Sequence, residues 1–138
     1  MKQTIELLAP AKNLECGMAA IDHGADAVYI GATQFGARQA AGNNVEDIRK
    51  LCEYAHRFGA RVHVTVNTII YENELNDMLL LIDELAKAGV DALLIQDMGL
   101  FSECRKRYGN KFALHASTQC DTRTPEKAAW LHALGFNR

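Results

Sequence analysis

Apolar and polar positions along the chain follow two alternating periods. In Arg61-Val62-His63-Val64-Thr65-Val66-Asn67 every even position is valine and every odd one is polar. Strand side chains alternate between faces, so this run has one apolar face and one that carries Arg61, His63, Thr65 and Asn67. Other strand-like runs are Ile5–Ala9, Ala27–Ile30, Ala92–Ile95 and Phe112–Ala116, and the valine run itself is Val62–Val66. Between them the apolar spacing lengthens to about 3.6, the helical period. Leu75, Met78, Leu79, Ile82, Leu85 and Ala86 form the clearest stripe. Ile48, Leu51, Cys52 and Ala55 form a second, and Leu100, Phe101, Cys104 and Tyr108 a shorter third.

Punctuation supports the same division. Gly24, Gly59, Gly89, Gly109 and Gly135 each follow a helix-period segment, with a polar or charged residue two places on. Glycine enters the left-handed conformation that ends helices, so each reads as a helix stop. Asn13 and Asn44 are placed to cap helix starts, and Thr124-Pro125 puts proline at a first helical position. The predicted order is βα repeated, which favours a parallel sheet with right-handed crossovers. No glycine-rich phosphate loop follows the first strand.

The third strand decides between an open sheet and a barrel. An open α/β sheet is covered by helices on both faces, so its strands should be apolar on both. A barrel accommodates valines against helices and a polar set facing its interior. The predicted class is therefore α/β, a parallel (β/α) barrel of TIM type. Such a barrel takes eight strands and about 250 residues. Here five βα units are followed by Gly135-Phe136-Asn137-Arg138, which announces a sixth strand. The expectation is that residues 1–138 are a single domain, the N-terminal part of a barrel that is truncated at its C-terminus. Open barrel edges then predict a homo-oligomer.

Composition narrows the setting. The chain is 49% hydrophobic and 23% charged with a formal charge of −2, which is ordinary for a folded protein and carries no bulk signature of a nucleic-acid or membrane partner. No apolar run reaches membrane-helix length, and no signal-peptide core follows Met1. Cys16, Cys52, Cys104 and Cys120 form no close pair and no metal-finger spacing, so reduced thiols and a cytoplasmic location are expected, with no metal site in these residues.

Barrel active sites lie where strands end and βα loops begin. His115 and Asn67 are the candidate catalytic residues. The first is a potential acid or base near its ordinary pKa of about 6.5, the second a substrate-orienting amide. Arg38, in the long loop after the second strand, is a candidate anion ligand, and Gln96, Ser117 and Gln119 are candidate substrate-binding groups. Asp97 suits capping of the following helix. Cys120 follows a strand but has no activating neighbour in sequence. His63, Glu6 and Arg61 read as structural, with Glu6 and Arg61 an interior ion pair at the barrel floor. Arg105-Lys106-Arg107 reads as a solvated helix face.

Several segments together resemble the collagenase-like peptidases, a family of unassigned catalytic type. They are Glu6-Leu7-Leu8-Ala9-Pro10-Ala11, Gly24-Ala25-Asp26-Ala27-Val28-Tyr29, Phe35-Gly36-Ala37-Arg38, Val64-Thr65-Val66-Asn67-Thr68 and His115-Ala116-Ser117-Thr118-Gln119. The likeness runs from Glu6 to about Phe136. Two positions depart from the family pattern: Lys12 stands where a glycine is expected, and Asn44 where an aromatic is common. The resemblance implies a barrel enzyme of the bacterial cytoplasm. Some members are called proteases acting on collagen-like substrates. Others hydroxylate tRNA or ribosomal RNA, with prephenate as a proposed hydroxyl source, and others hydroxylate quinone precursors and carry an iron–sulfur cluster. Hydrolysis of peptide bonds is the first function expected. RNA or small-aromatic hydroxylation, with an iron–sulfur cluster in the complete protein, is the alternative, and an inactive self-associating barrel piece is the third. The corresponding partners are a peptide, an RNA or a small molecule, and no membrane.

Overall fold

The computed structural model describes residues 5–32 and 43–138. Five strands, β1 (Leu8–Ala11), β2 (Ala27–Gly31), β3 (Arg61–Val66), β4 (Ala92–Ile95) and β5 (Ala113–Ala116), pair in chain order. Every pairing is parallel. Five helices alternate with them: α1 (Leu14–Asp22), α2 (Val45–Arg57), α3 (Leu75–Ala88), α4 (Met98–Tyr108) and α5 (Pro125–Leu134). The α/β class and the parallel order are as the periodicity predicted, and β1 and β5 do not pair to close a barrel.

Caps and stops form where the sequence placed them. The side chains of Asn13, Asn44, Asp97 and Thr124 accept backbone N–H bonds from Cys16, Asp47, Leu100 and Lys127, at 2.7–3.2 Å. All five stop glycines have positive φ. Gly17 has a different purpose. A Cβ there would lie 2.8 Å from both methyls of Leu51, so its absence lets α1 and α2 approach closely.

One expectation shifts. The apolar run Ile5–Ala9 predicted the first strand, but pairing begins only at Leu8. Ile5 and Leu7 are 90% and 57% exposed, so their apolar character reflects no burial within this chain. β1 is an edge strand, which is where a sheet tolerates Pro10.

Val62, Val64 and Val66 are completely buried, together with Val28, Ile30, Leu93 and Ile95 from neighbouring strands. They form one core with Ile48, Leu51, Ile82, Leu85 and Leu100 of the helices. The valine face therefore packs on the helices and the polar face turns the other way, as the alternation required.

Register is set by a repeated clamp. Asp26 N–H donates to the Leu7 carbonyl at 2.9 Å while its carboxylate accepts from Leu7 N–H at 2.7 Å. Asp91 holds both backbone groups of Val62 in the same way, at 2.9 and 2.8 Å. Asn137 does so for Leu114, at 2.8 and 2.9 Å. Each clamping residue stands two places after a stop glycine, so one Gly-x-Asp/Asn element both ends a helix and aligns the strand that follows. The third copy brings residues 137 and 138 alongside β5, where Ala116 N–H also donates to the Arg138 carbonyl at 2.7 Å. Residues 137 and 138 thus extend the backbone pairing along the free edge of β5.

Candidate functional site

The polar face is built in rows by the strand register. Pro10, Tyr29, His63 and Ala92 are paired in one row, and Gly31, Thr65, Leu94 and His115 in the next. One step further, beyond the strand ends, stand Asn67, Gln96 and Ser117. There the structure has a cleft of about 560 Å³. Leu8, Pro10 and Leu94 give it apolar walls, Tyr29 an aromatic one, and Thr65, Asn67, Ser117, Thr118 and Gln119 polar groups. Among the described residues that line it, Lys12 is the one that carries a charge.

Ser117 organises this mouth. Its hydroxyl oxygen accepts from the Asn67 amide and from Gln119 N–H, both at 3.2 Å. The second bond starts a single 3-10 turn, Thr118–Cys120, that turns the chain away from β5. Ser117 is only 3% exposed. On the opposite wall the Asn43 side chain donates to the carbonyls of Lys12 and Gly31, at 3.1 and 3.0 Å, and so ties the ends of β1 and β2 together.

Below the mouth lies a second polar layer. His63 and His115 meet edge to face with ring centres 5.0 Å apart. They reach each other across β4 because Ala92, small, occupies the row of His63. His63 is 2% exposed, and its Nδ1 has no hydrogen-bond partner among the described residues. Burial pushes the His115 pKa down to about 4, with His63 and Arg138 adding to the fall, and burial lowers that of His63 as well. Both rings are neutral near pH 7. Glu6 pairs with Arg61 at 3.6 Å, but Arg61 is largely exposed, so the pair is not the interior one expected; a closer pair joins Glu6 to Arg138 at 2.6 Å. The Arg138 hydrogen bond holds its carboxyl below the usual range.

The residues singled out in the sequence therefore separate. Asn67, Ser117 and Gln119 come together in the cleft. His115 does not join them: it lies one row deeper against His63, and desolvation takes it far from the pKa expected of a free imidazole. Gln96 shares the row of Asn67 and Ser117 but does not line the cleft. Arg38 lies outside the described residues. Asp97 caps α4, as its position suggested. Lys12, Tyr29, Thr65 and Thr118 line the cleft without having been singled out as ligands. Strand parity pointed Thr65 inward; Lys12 and Thr118 lie beyond strand ends, where parity does not extend.

The thiols do not suit a metal cluster. Cys52 and Cys104 are buried on helices, and burial pushes each up to about 12. Cys120 is buried, donates its S–H to the Ile95 carbonyl at 3.4 Å and is raised by desolvation, while Cys16 is exposed on α1. Among the described residues no group of three or more metal-ligating side chains gathers. The iron–sulfur cluster that the resemblance implies is expected of the complete protein, and the described residues of this chain gather no ligands for it.

Fold and site together define a class, parallel β/α proteins with a polar cleft at the carboxyl ends of the strands. Within it this chain belongs to peptidase family U32, whose model matches residues 12–138. It is 48% identical over 134 residues to the 23S rRNA 5-hydroxycytidine C2501 synthase of Escherichia coli, an alignment covering 97% of this chain and 20% of that protein. It is 34% identical over 125 residues to a collagenase of Porphyromonas gingivalis, covering 88% of this chain and 29% of the relative. The chain thus spans between a fifth and a third of the length of these relatives. The solved structure of the U32 peptidase Mk0906 superposes with a TM-score of 0.76 over 99% of this chain and 59% of that one, at 15% identity, a likeness of fold. No helix among the described residues is long and apolar enough to cross a membrane.

Proposed function

We propose that this chain forms the N-terminal β/α section of an RNA-hydroxylating enzyme, its strand-end cleft helping to hold the group that reacts. The observation that carries this reading is the 48% identity, over nearly the whole chain, to a protein named for hydroxylating a cytidine of 23S rRNA. The chemistry of the cleft supports it. The groups that line it are hydrogen-bonding amides and hydroxyls, an aromatic ring and a cation, which orient a ligand. Among the described residues near it, the Cys120 thiol is kept protonated by desolvation and His115 is buried with a strongly lowered pKa, which suits neither to nucleophilic or general-acid work at pH 7.

Peptide hydrolysis is the second reading, favoured by the family's name and by the collagenase relative. Mass spectrometry of 23S rRNA from the source organism separates the two. Deleting the gene should remove a hydroxyl, about 16 Da, from one cytidine, and the intact gene should restore it. Unchanged rRNA, together with gelatin cleavage that disappears in the deletion strain, would overturn the RNA reading in favour of the peptidase.

A further inference from the structure

We propose that Lys127 is a positioning residue for the cleft: it locks the turn after β5 in the shape that presents Thr118 and Gln119 to a ligand. The inference deepens the proposed function and rests on the cleft being the reaction's site, whichever substrate it takes. Two local choices run against ordinary preference, and both meet at this turn. Asp121 has φ 52° and ψ 49°, a left-handed conformation that is costly without glycine, and among the described residues no other non-glycine has positive φ. Lys127 stands in the first turn of α5, two places after Pro125, where the helix dipole favours anions and disfavours an ammonium group. The first turns of α1, α2 and α3 carry acids instead, among them Glu15, Glu46 and Asp77. One interaction accounts for both departures. The Lys127 ammonium donates to the carbonyls of Cys120 and Asp121, the second at 3.3 Å. These two carbonyls bracket the φ and ψ of Asp121, so a single cation bonded to both holds the strained residue in place.

The turn itself has two buried ends and two exposed middle residues. Ser117 N–H and the Cys120 thiol both donate to the Ile95 carbonyl, at 2.9 and 3.4 Å, which ties the turn to the end of β4. Between these anchors Thr118 and Gln119 are exposed and line the cleft. Gln119 N–H is held by the Ser117 hydroxyl, and the chain beyond it by Lys127. A polar group holds a ligand best when its backbone is fixed beforehand, since a loose one loses that freedom on binding. Local conflict at a site-lining turn is where proteins set function against local preference. Without the ammonium, Asp121 relaxes out of the left-handed region and the turn shifts under Thr118 and Gln119. Helix α5 does not depend on it: Thr124 caps its start by accepting from Lys127 N–H at 3.2 Å, and Pro125 sets its first position.

Variants of the complete protein, expressed in the deletion strain, test this. Expression is kept low enough that the wild-type gene leaves part of the cytidine unmodified, and mass spectrometry of 23S rRNA reads the hydroxylated fraction. Lys127→Met keeps the aliphatic stem and removes the ammonium. It should lower hydroxylation about tenfold at an unchanged protein level and melting temperature. Lys127→Arg, which can still donate to both carbonyls, should restore most of it. In a protein that already carries Thr118→Ala and Gln119→Ala, expressed more strongly so that hydroxylation stays measurable, Lys127→Met should add less than about a twofold loss, because the side chains it positions are gone. A merely structural role would show no such dependence. Wild-type hydroxylation in Lys127→Met, a loss that only follows the amount of folded protein, or an undiminished effect in the doubly substituted protein would each overturn the proposal. If the intact wild-type gene restores no hydroxyl, the RNA reading fails by itself. Gelatin cleavage by the same variants then decides the role of Lys127, with the same order of activities expected and the same outcomes against it.

Discussion

His115 shows how burial changes the meaning of a residue read from sequence. Strand parity placed it on the inward face correctly, and residue type suggested an acid or base. Parity does not report depth: His115 is one row below the mouth, packed on His63, and desolvation holds its pKa near 4. Its charged form is thus disfavoured in the folded state, whereas the unfolded chain takes up a proton near pH 6.5. Between pH 6.5 and 4 the unfolded state binds more protons, so stability falls with falling pH across that window and is fully present above it. For His115 alone the fall from 6.5 to about 4 corresponds to at most ~3 kcal/mol, and His63 adds in the same direction. Glu6, whose pKa is lowered by Arg138, loses its contribution only below its ordinary value, so its effect falls at lower pH. Urea unfolding at pH 7, 6, 5 and 4 should show the decline, and His115→Asn should flatten most of it. An equally steep profile in the variant would place the proton uptake elsewhere. Asn67→Ala should cost about 1–2 kcal/mol, because the contacts it removes include a half-buried hydrogen bond to Ser117. If the cleft serves the reaction, the intact enzyme carrying this change should lose activity out of proportion to that cost. A fall in activity that only tracks the loss of folded protein would make Asn67 structural.

The elements were the most legible part of the molecule. Helix period, the N-caps at Asn13, Asn44 and Thr124, and the stop glycines place the helices, because these signals are local. The first strand was displaced toward the N-terminus since apolar character at Ile5 and Leu7 is not matched by burial here. The polar residue two places after each stop glycine was visible as a pattern, but its work was not. The clamp joins residues 19, 29 and 23 apart in sequence, a distance no local signal spans. Its energetics can be tested at Asp91, whose carboxylate takes the N–H of completely buried Val62 and also meets His56 at 3.0 Å. Asp91→Ala should destabilise by about 2 kcal/mol, because a buried N–H loses its acceptor. Asp91→Asn should cost under about 1 kcal/mol, since Asn137 performs the same clamp with an amide oxygen. Chemical denaturation of both variants checks this. Equal losses would mean that charge, through His56, matters more than the acceptor.

For the whole molecule, the alternation in β3 called for valines against helices and a polar set on the opposite face, and the structure has both; the closed barrel inferred from it is not formed by these five strands. The two edges are less exposed than strand order alone implied. Pro10 removes an N–H from β1, and residues 137 and 138 already bond to β5. The open face carries more apolar area. Leu8, Tyr29 and Leu94 line its cleft, and Ile5 and Leu7 stand exposed just before β1. Burying apolar surface is worth roughly 25 cal/mol per Å², so covering ~800 Å² contributes about 20 kcal/mol before association costs that can reach about 15. The surplus, about 5 kcal/mol, predicts that two copies of this chain associate through these faces at concentrations of hundreds of micromolar. Sedimentation velocity over a hundredfold dilution should show a monomer–dimer shift. Ile5→Lys combined with Leu7→Lys, at two exposed positions, should move that equilibrium toward monomer without lowering the melting temperature. A wild-type monomer at every concentration would refute association. A dimer indifferent to both lysines would place its interface away from the β1 side of the open face.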